Sequence, residues 1–176
     1  MIVILLGGTC SGKTEFALAL KKYGFEKVIT NTTRARRVDD NENSYHFLTR
    51  DEFMQKIENG EMLEYAEYNG NLYGTSIDSL SKNCVIVLEP KGLRSFERIM
   101  GDRIYSIFLD VSDEDRLRRG IARGDSVEVL NSRMEEEKTL FTDDVKRSVD
   151  FLIRDLKREE IDILIENNFD VLYTKD

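Results

Sequence analysis

An apolar run that ends in a glycine-rich turn constrains this chain more than any other feature. Residues Ile2–Leu6 are continuously apolar and β-branched at their start, as expected of a strand buried on both faces. They run directly into GGTCSGKT at 7–14, which satisfies G-x-x-x-x-G-K-[ST]. In that pattern Gly7 and Gly12 let the backbone curl so that its N–H groups converge on an anion, and the following helix adds its positive end. Lys13 can then reach the β- and γ-phosphates, and the Thr14 hydroxyl is placed for Mg²⁺. The competing reading is an ordinary strand–helix turn. The preceding buried strand and the following helix (Thr14–Lys22) argue against it. The loop implies a nucleoside triphosphate and a metal, but leaves water, a protein or a small molecule open as phosphoryl acceptor.

Bulk properties exclude several classes of partner. The 176 residues suffice for one domain with a core. A net charge of −8 disfavours general nucleic-acid binding, which depends on neutralising phosphates. No apolar run approaches the length of a membrane span, and the apolar N-terminus lacks the basic flank of a signal peptide. A cytoplasmic protein, with no membrane and no nucleic-acid partner, is the expectation, as monomer or homodimer. Cys10 and Cys84 form no CxxC pair, so no disulfide framework is expected. The arginines are nonetheless clumped. Arg34, Arg36 and Arg37 form one knot, and Arg116, Arg118, Arg119 and Arg123 another. Either knot could be a solvated face; together they suit small anionic ligands.

Further along, Lys27–Thr30 predicts a short strand and Arg50–Glu58 a helix. Cys84–Glu89 and Ile104–Leu109 read as buried strands, with a helix at Pro90–Met100 between them. A helix starts at Asp113–Arg119, Gly120–Ser126 reads as a loop, and Val127–Val145 as one long charged helix. Asp150–Ile153 predicts the last core strand, Glu159–Asn167 a terminal helix, and Phe169–Tyr173 an edge strand. Alternating strands and helices imply an α/β fold with a parallel core sheet. The segment from Tyr45 to about Ser81 departs from that rhythm and reads as an inserted α+β lobe. His46, the single histidine, sits between two aromatics and is expected to pack in a hairpin.

TNTTRARR at 30–37, YHF at 45–47 and EMLEYAEYNGNLYGT at 61–75, taken with the loop, resemble the guanylate kinase family. The resemblance runs from residue 1 to about 155 in the family's order. It implies a P-loop NTPase fold with an inserted lobe at 31–81 that binds the nucleoside monophosphate and a small helical lid at 119–133. The core is then 1–30, 82–118 and 134–176. The reaction implied is ATP-dependent phosphorylation of GMP or dGMP, with Mg²⁺. Gly7, Cys10, Ser11, Gly12, Lys13 and Thr14 would hold the donor phosphates, with Thr14 on the metal. Arg34 and Arg37 would bind the acceptor phosphate, helped by the hydroxyls of Tyr45 and Tyr73. Bidentate, permanently charged guanidinium groups suit that task. Structural packing is the competing reading for both tyrosines. Glu64 would read the N1/N2 edge of guanine, since a carboxylate accepts from two adjacent donors. Thr30, Thr75 and Glu89 stand at further base-facing positions. Arg119, Arg123 and Arg133 match the family's lid arginines, which neutralise charge on the transferred group. Arg36, Arg116 and Arg118 are left as surface charges.

The chain departs from the family in IVLEPKG at 86–92. Val87 replaces a first acid near the metal, Glu89 stands for the second, and Lys91 replaces a glutamine. Arg154 takes the place of an asparagine beside the adenine. Two rival functions remain: a P-loop kinase for another nucleotide or a sugar phosphate, and a catalytically weak guanylate-kinase-like binding module. The presence of Lys13, Thr14, Arg119 and Arg123 argues against the second.

Overall fold

The computed structural model describes residues 1–36, 40, 44–68 and 70–173, and only the backbone of 169–173. Its centre is β1 (Ile2–Gly7), every residue of which is buried. β1 lies between β7 (Cys84–Val87) and β8 (Ile104–Asp110) in a parallel sheet of order β2-β7-β1-β8-β9. The edges are β2 (Glu26–Lys27) and β9 (Phe151–Arg154).

Period-two alternation sends successive β1 side chains to opposite faces. Val3 and Leu5 join Phe16, Ala17 and Leu20 of α1 (Lys13–Lys21) and Ile161 and Ile165 of α7 (Ile161–Tyr173) in one core. Ile2, Ile4 and Leu6 join Leu93 and Phe96 of α3 (Pro90–Met100) and Val145 of α6 (Asp143–Ser148) in the other. Each of the larger side chains contributes about 1.5–3 kcal/mol by leaving water. A strand stabilised from both sides gives a rigid base for the loop at its carboxyl end, where ligands bind in open parallel sheets.

A second, four-stranded sheet has the order β4-β3-β6-β5. β3 (Asn31–Thr32) pairs parallel with β4 (His46–Phe47) and antiparallel with β6 (Asn71–Ser76), which pairs antiparallel with β5 (Met62–Tyr68). Threonine and asparagine side chains lock β3 to β6. Asn31 Nδ2 donates to Ser76 Oγ (2.8 Å), Thr32 Oγ1 donates to Leu72 O (3.0 Å), and Leu72 N donates to Thr33 Oγ1 (2.8 Å). α2 (Arg50–Glu58) starts at a reciprocal Thr49–Glu52 capping box and covers this sheet with the fully buried Phe53.

Several local expectations need correction. The strand expected at 27–30 is only Glu26–Lys27, and the one expected to reach Glu89 stops at Val87. α4 (Asp113–Arg123) continues through Gly120, where a Cβ would overlap Leu130, and ends at Gly124 with φ 97°. The expected helix over 127–145 is two: α5 (Val127–Leu140) and α6. Thr142 caps the second by accepting from Val145 N (3.5 Å), and a capping threonine starts a new helix more readily than it continues an old one. The expected edge strand at 169–173 is the continuation of α7. His46 is exposed on a parallel bridge, not packed in a hairpin.

Phe53→Ala should destabilise the second sheet by about 3–5 kcal/mol. Hydrogen exchange should show protection lost at β3, β5 and β6 before β1 and β8; uniform loss throughout would contradict this.

Candidate functional site

The loop after β1 is shaped to hold an anion. Gly12 has φ 98° and Cys10 has φ 60°, a left-handed conformation that costs a side-chain-bearing residue about 1–2 kcal/mol. Among the described residues the amides of Cys10, Gly12, Lys13 and Thr14 have no intrachain acceptor. Lys13 Nζ folds back to donate to the carbonyls of Gly7 (2.6 Å) and Gly8 (2.7 Å). Burial lowers its pKa from the ordinary 10.5, and the carboxylates of Glu89 and Glu137 oppose that shift. Thr14, which carries a hydroxyl, is exposed at the start of α1.

Two buried side-chain atoms lack a partner among the described residues, Ser11 Oγ and Glu89 Oε2. Both belong to this site. Buried polar atoms without partners are costly, so their concentration here marks a place completed by a ligand. Glu89 stands at the N-cap of α3, and burial raises its pKa from 4.5 to about 7, an effect that Lys13 opposes and Glu137 reinforces. Val87 lies beside Leu5 in the sheet register and packs against the core. That strand end is therefore apolar, and Glu89 and Glu137 are the acids that act on Lys13. The hydroxyl of an exposed threonine and a buried, unpartnered carboxylate oxygen are hard oxygen ligands of the kind that suit a Mg²⁺ ion and its waters.

The second sheet carries the other residues. Glu64 on β5 and Thr75 on β6 are register partners, and Thr75 Oγ1 donates to Glu64 Oε1 (2.7 Å). Burial raises the Glu64 pKa, and the Thr75 bond opposes the shift. Glu64 Oε2 lies 3.3 Å from where a Cβ of Gly92 would stand, against the first turn of α3. Glu64 and Glu89 thus converge on the N-terminal end of one helix, whose dipole favours negative charge. Thr30 is buried, and its carbonyl accepts from His46 N (2.9 Å).

Arg34 forms a bidentate pair with Asp40, at 2.9 and 3.0 Å, with both side chains about 90% buried. Its guanidinium stands 5.3 Å from the Tyr45 ring centroid and 5.5 Å from that of Phe47. Tyr45 and Tyr73 meet edge to face at 6.1 Å. Arg34, Tyr45 and Tyr73 therefore form one cluster. Arg36 is exposed over the Phe47 ring. Arg37 lies outside the described residues.

On α4, Arg119 reaches Ser11 O (3.4 Å) and Leu156 O (2.6 Å), and so bridges the loop and the segment after β9. Arg123 pairs with Asp125 at the helix end. Arg133 on α5 is half-buried, with no polar partner among the described residues. Arg154 is exposed at the end of β9, 4.0 Å from Asp110. Arg116 requires a correction. It is not on a solvated face but buried against the loop, donating to Thr9 O (2.8 Å) and paired with Glu137. Its spacing with Arg119 and Arg123 (i, i+3, i+7) already placed the three on one helical face; only the fold shows that this face lies on the loop.

The family model described as guanylate kinase matches residues 1–168. The chain belongs to the guanylate kinase family. The guanylate kinase of Lactococcus lactis is 34% identical over 149 residues, covering 78% of this chain and 72% of the relative. That of Chlorobaculum tepidum is 29% identical over 171 residues, covering 85% and 88%. The crystal structure of guanylate kinase from Anaplasma phagocytophilum superposes with a TM-score of 0.72 at 27% identity, over 99% of this chain and 86% of that one. The parallel sheet with its loop is accordingly the P-loop NTPase fold of that family. No helix among the described residues is long and apolar enough to cross a membrane. No group of three or more metal-ligating His, Cys, Asp or Glu side chains occurs among them.

The Glu89 carboxyl gives this family member a pH signature. With a folded pKa of about 7 against 4.5, the folded chain binds more protons than the unfolded one between those values. Its stability contribution is fully present below pH 4.5 and is lost as pH rises through 7. In nucleotide- and metal-free protein, Glu89→Gln should therefore raise Tm at pH 8, by an amount worth up to about 3 kcal/mol, and leave it nearly unchanged at pH 4.5. Equal shifts at both pH values would refute the assignment.

Proposed function

We propose that the chain transfers the γ-phosphoryl group of ATP to GMP or dGMP, giving ADP and GDP or dGDP. The observation that carries the reading is the pairing of two half-sites at the start of α3. A phosphate loop with a lysine and an orphaned buried hydroxyl has its lysine under the influence of Glu89, the N-cap residue of that helix. A buried carboxylate, Glu64, supported by Thr75, rests on the helix's first turn, and Tyr73 of the Arg34–tyrosine cluster lies two residues from Thr75 on β6. Membership of the guanylate kinase family supports the same reaction.

In this reading the second sheet with α2, residues 31–81, is the acceptor lobe, and 119–133 is the lid. Lys13 leaves the Gly7 and Gly8 carbonyls for the β- and γ-phosphates, and the free loop amides and Ser11 Oγ take phosphate oxygens. Glu64 accepts from the guanine N1/N2 edge. Thr75, bonded to Glu64, orients that carboxylate, and Thr30 and Glu89 line the same region. Arg34, with Arg37, exchanges a carboxylate partner for the acceptor phosphate, a swap between two bidentate anions. Arg119, Arg123 and Arg133 close on the transferred group, with Arg154 on the donor-base side. A Mg²⁺ ion, when bound, neutralises charge on the β- and γ-phosphates, and the Thr14 hydroxyl and Glu89 are the residues that suit its coordination shell. Catalysis is positioning and charge stabilisation, with no covalent intermediate.

ADP release should be measured across GMP, dGMP, AMP, CMP and UMP. Turnover with the guanine nucleotides alone is expected, and turnover with the others but not GMP would overturn the guanine assignment. Glu64→Gln should raise the KM for GMP about tenfold or more with the KM for ATP little changed, since one charged acceptor is lost. Lys13→Ala should lower kcat by about a hundredfold.

A further inference from the structure

The loop is tied down by a pair that the phosphoryl-transfer reading does not use. Both backbone groups of Thr9 are taken by side chains from two other elements. Its carbonyl accepts from Arg116 Nε of α4 (2.8 Å), and its amide donates to Glu137 Oε1 of α5 (2.7 Å). Arg116 Nη2 pairs with Glu137 Oε2, and Nη1 donates to Asp113 Oδ1 (3.0 Å). The paired side chains are about 90% buried. Gly8 leaves the room: a Cβ there would overlap the Arg116 guanidinium. At Gly120, α4 also comes close to Cys10, whose Sγ is 3.2 Å from where a Cβ would stand.

A buried ion pair is a poor source of net stability, because desolvating two charges cancels most of their attraction. Here, however, its hydrogen bonds run to the backbone of the loop itself. We propose that Arg116 and Glu137 are positioning residues that latch the phosphate loop to the α4–α5 hairpin and thereby set its affinity for the donor triphosphate. The inference rests on the donor reading given above. The guanidinium fork fixes the direction of the Thr9 carbonyl, so the loop is held in one geometry before the donor arrives and loses less entropy on binding. The pair also balances charge. Glu137 places a carboxylate on a loop amide, next to the donor's phosphates, and Arg116 neutralises it. Removing Arg116 alone leaves that buried anion facing the triphosphate. Lysine keeps the charge but cannot serve Thr9 O, Asp113 and Glu137 together, since it lacks the planar fork.

The test is equilibrium binding of ATP and of GMP, each alone, to wild type, Arg116→Met, Arg116→Lys and Glu137→Gln, with melting curves to establish folding. Arg116→Met is expected to weaken ATP at least tenfold and GMP less than twofold, and Arg116→Lys to recover less than half of the loss on a logarithmic scale. Glu137→Gln keeps an acceptor for the Thr9 amide but has no second oxygen for Arg116, so the latch is broken while the charge left beside the phosphates is positive; it should weaken ATP less than Arg116→Met does, about threefold. It carries the test alone if neither Arg116 variant folds. Unchanged ATP affinity in the folded variants, equal loss of ATP and GMP affinity, or full recovery by lysine would overturn the latch. Failure of the wild type to bind ATP would instead refute the donor reading.

Discussion

The burial of β1 on both faces is the constraint on which the rest of the molecule depends. Val3 and Leu5 point into one core and Ile2, Ile4 and Leu6 into the other, so the strand cannot shift register by a residue without exchanging its contacts on both sides. Its carboxyl end is therefore fixed relative to α1, α3 and β8. The phosphate loop starts there, and every amide it presents inherits that position. The strained Cys10 and the orphaned Ser11 hydroxyl persist because the strand and the helix that flank them are over-determined.

Charge then organises what packing has positioned. Two buried acids are held by guanidinium groups, Glu137 by Arg116 at the loop and Asp40 by Arg34 at the second sheet, while Glu89 keeps an unpartnered oxygen and feels both Lys13 and Glu137. Arg34 and Arg116 are thus already oriented by carboxylates, and Lys13 by the Gly7 and Gly8 carbonyls. Such an arrangement suits reactions in which anionic substrates replace internal anions, since little new order must be created when they bind. α3 joins the halves, for Glu89 stands at its N-cap position and Glu64 rests on its first turn. A change at either carboxylate is therefore felt at the start of one helix.

Much of the fold was legible because its signals are local. The GGTCSGKT pattern, the buried run before it, and the helices expected at Arg50–Glu58 and Pro90–Met100 rest on signals that act within a few residues, and each element appears where expected. The misreadings share a cause. The Val127–Val145 segment is rich in charge with only scattered apolar residues, so its periodicity does not show the break that Thr142 makes by capping α6. Residues 169–173 carry apolar and β-branched side chains that suit a strand, but they continue the turn of α7 begun at Ile161. Competition between local propensity and tertiary continuity is not resolved by composition.

The sequence by itself determined the central strand, the phosphate loop, the alternation that builds the parallel sheet, and a set of candidate residues whose order matches one family. These depend on backbone chemistry and on spacing along the chain. Tertiary structure alone decided who meets whom across distance: Glu64 with Thr75 and the start of α3, Arg34 with Asp40 and Tyr45, and Arg116 with Thr9 and Glu137. An arginine on a charged helix reads as solvated until the helix is placed. Arg116 became part of the loop's support because the packing of α4 and α5 brought the Glu137 carboxylate and the Thr9 carbonyl from elsewhere in the chain within its reach, with the Thr9 amide held by Glu137.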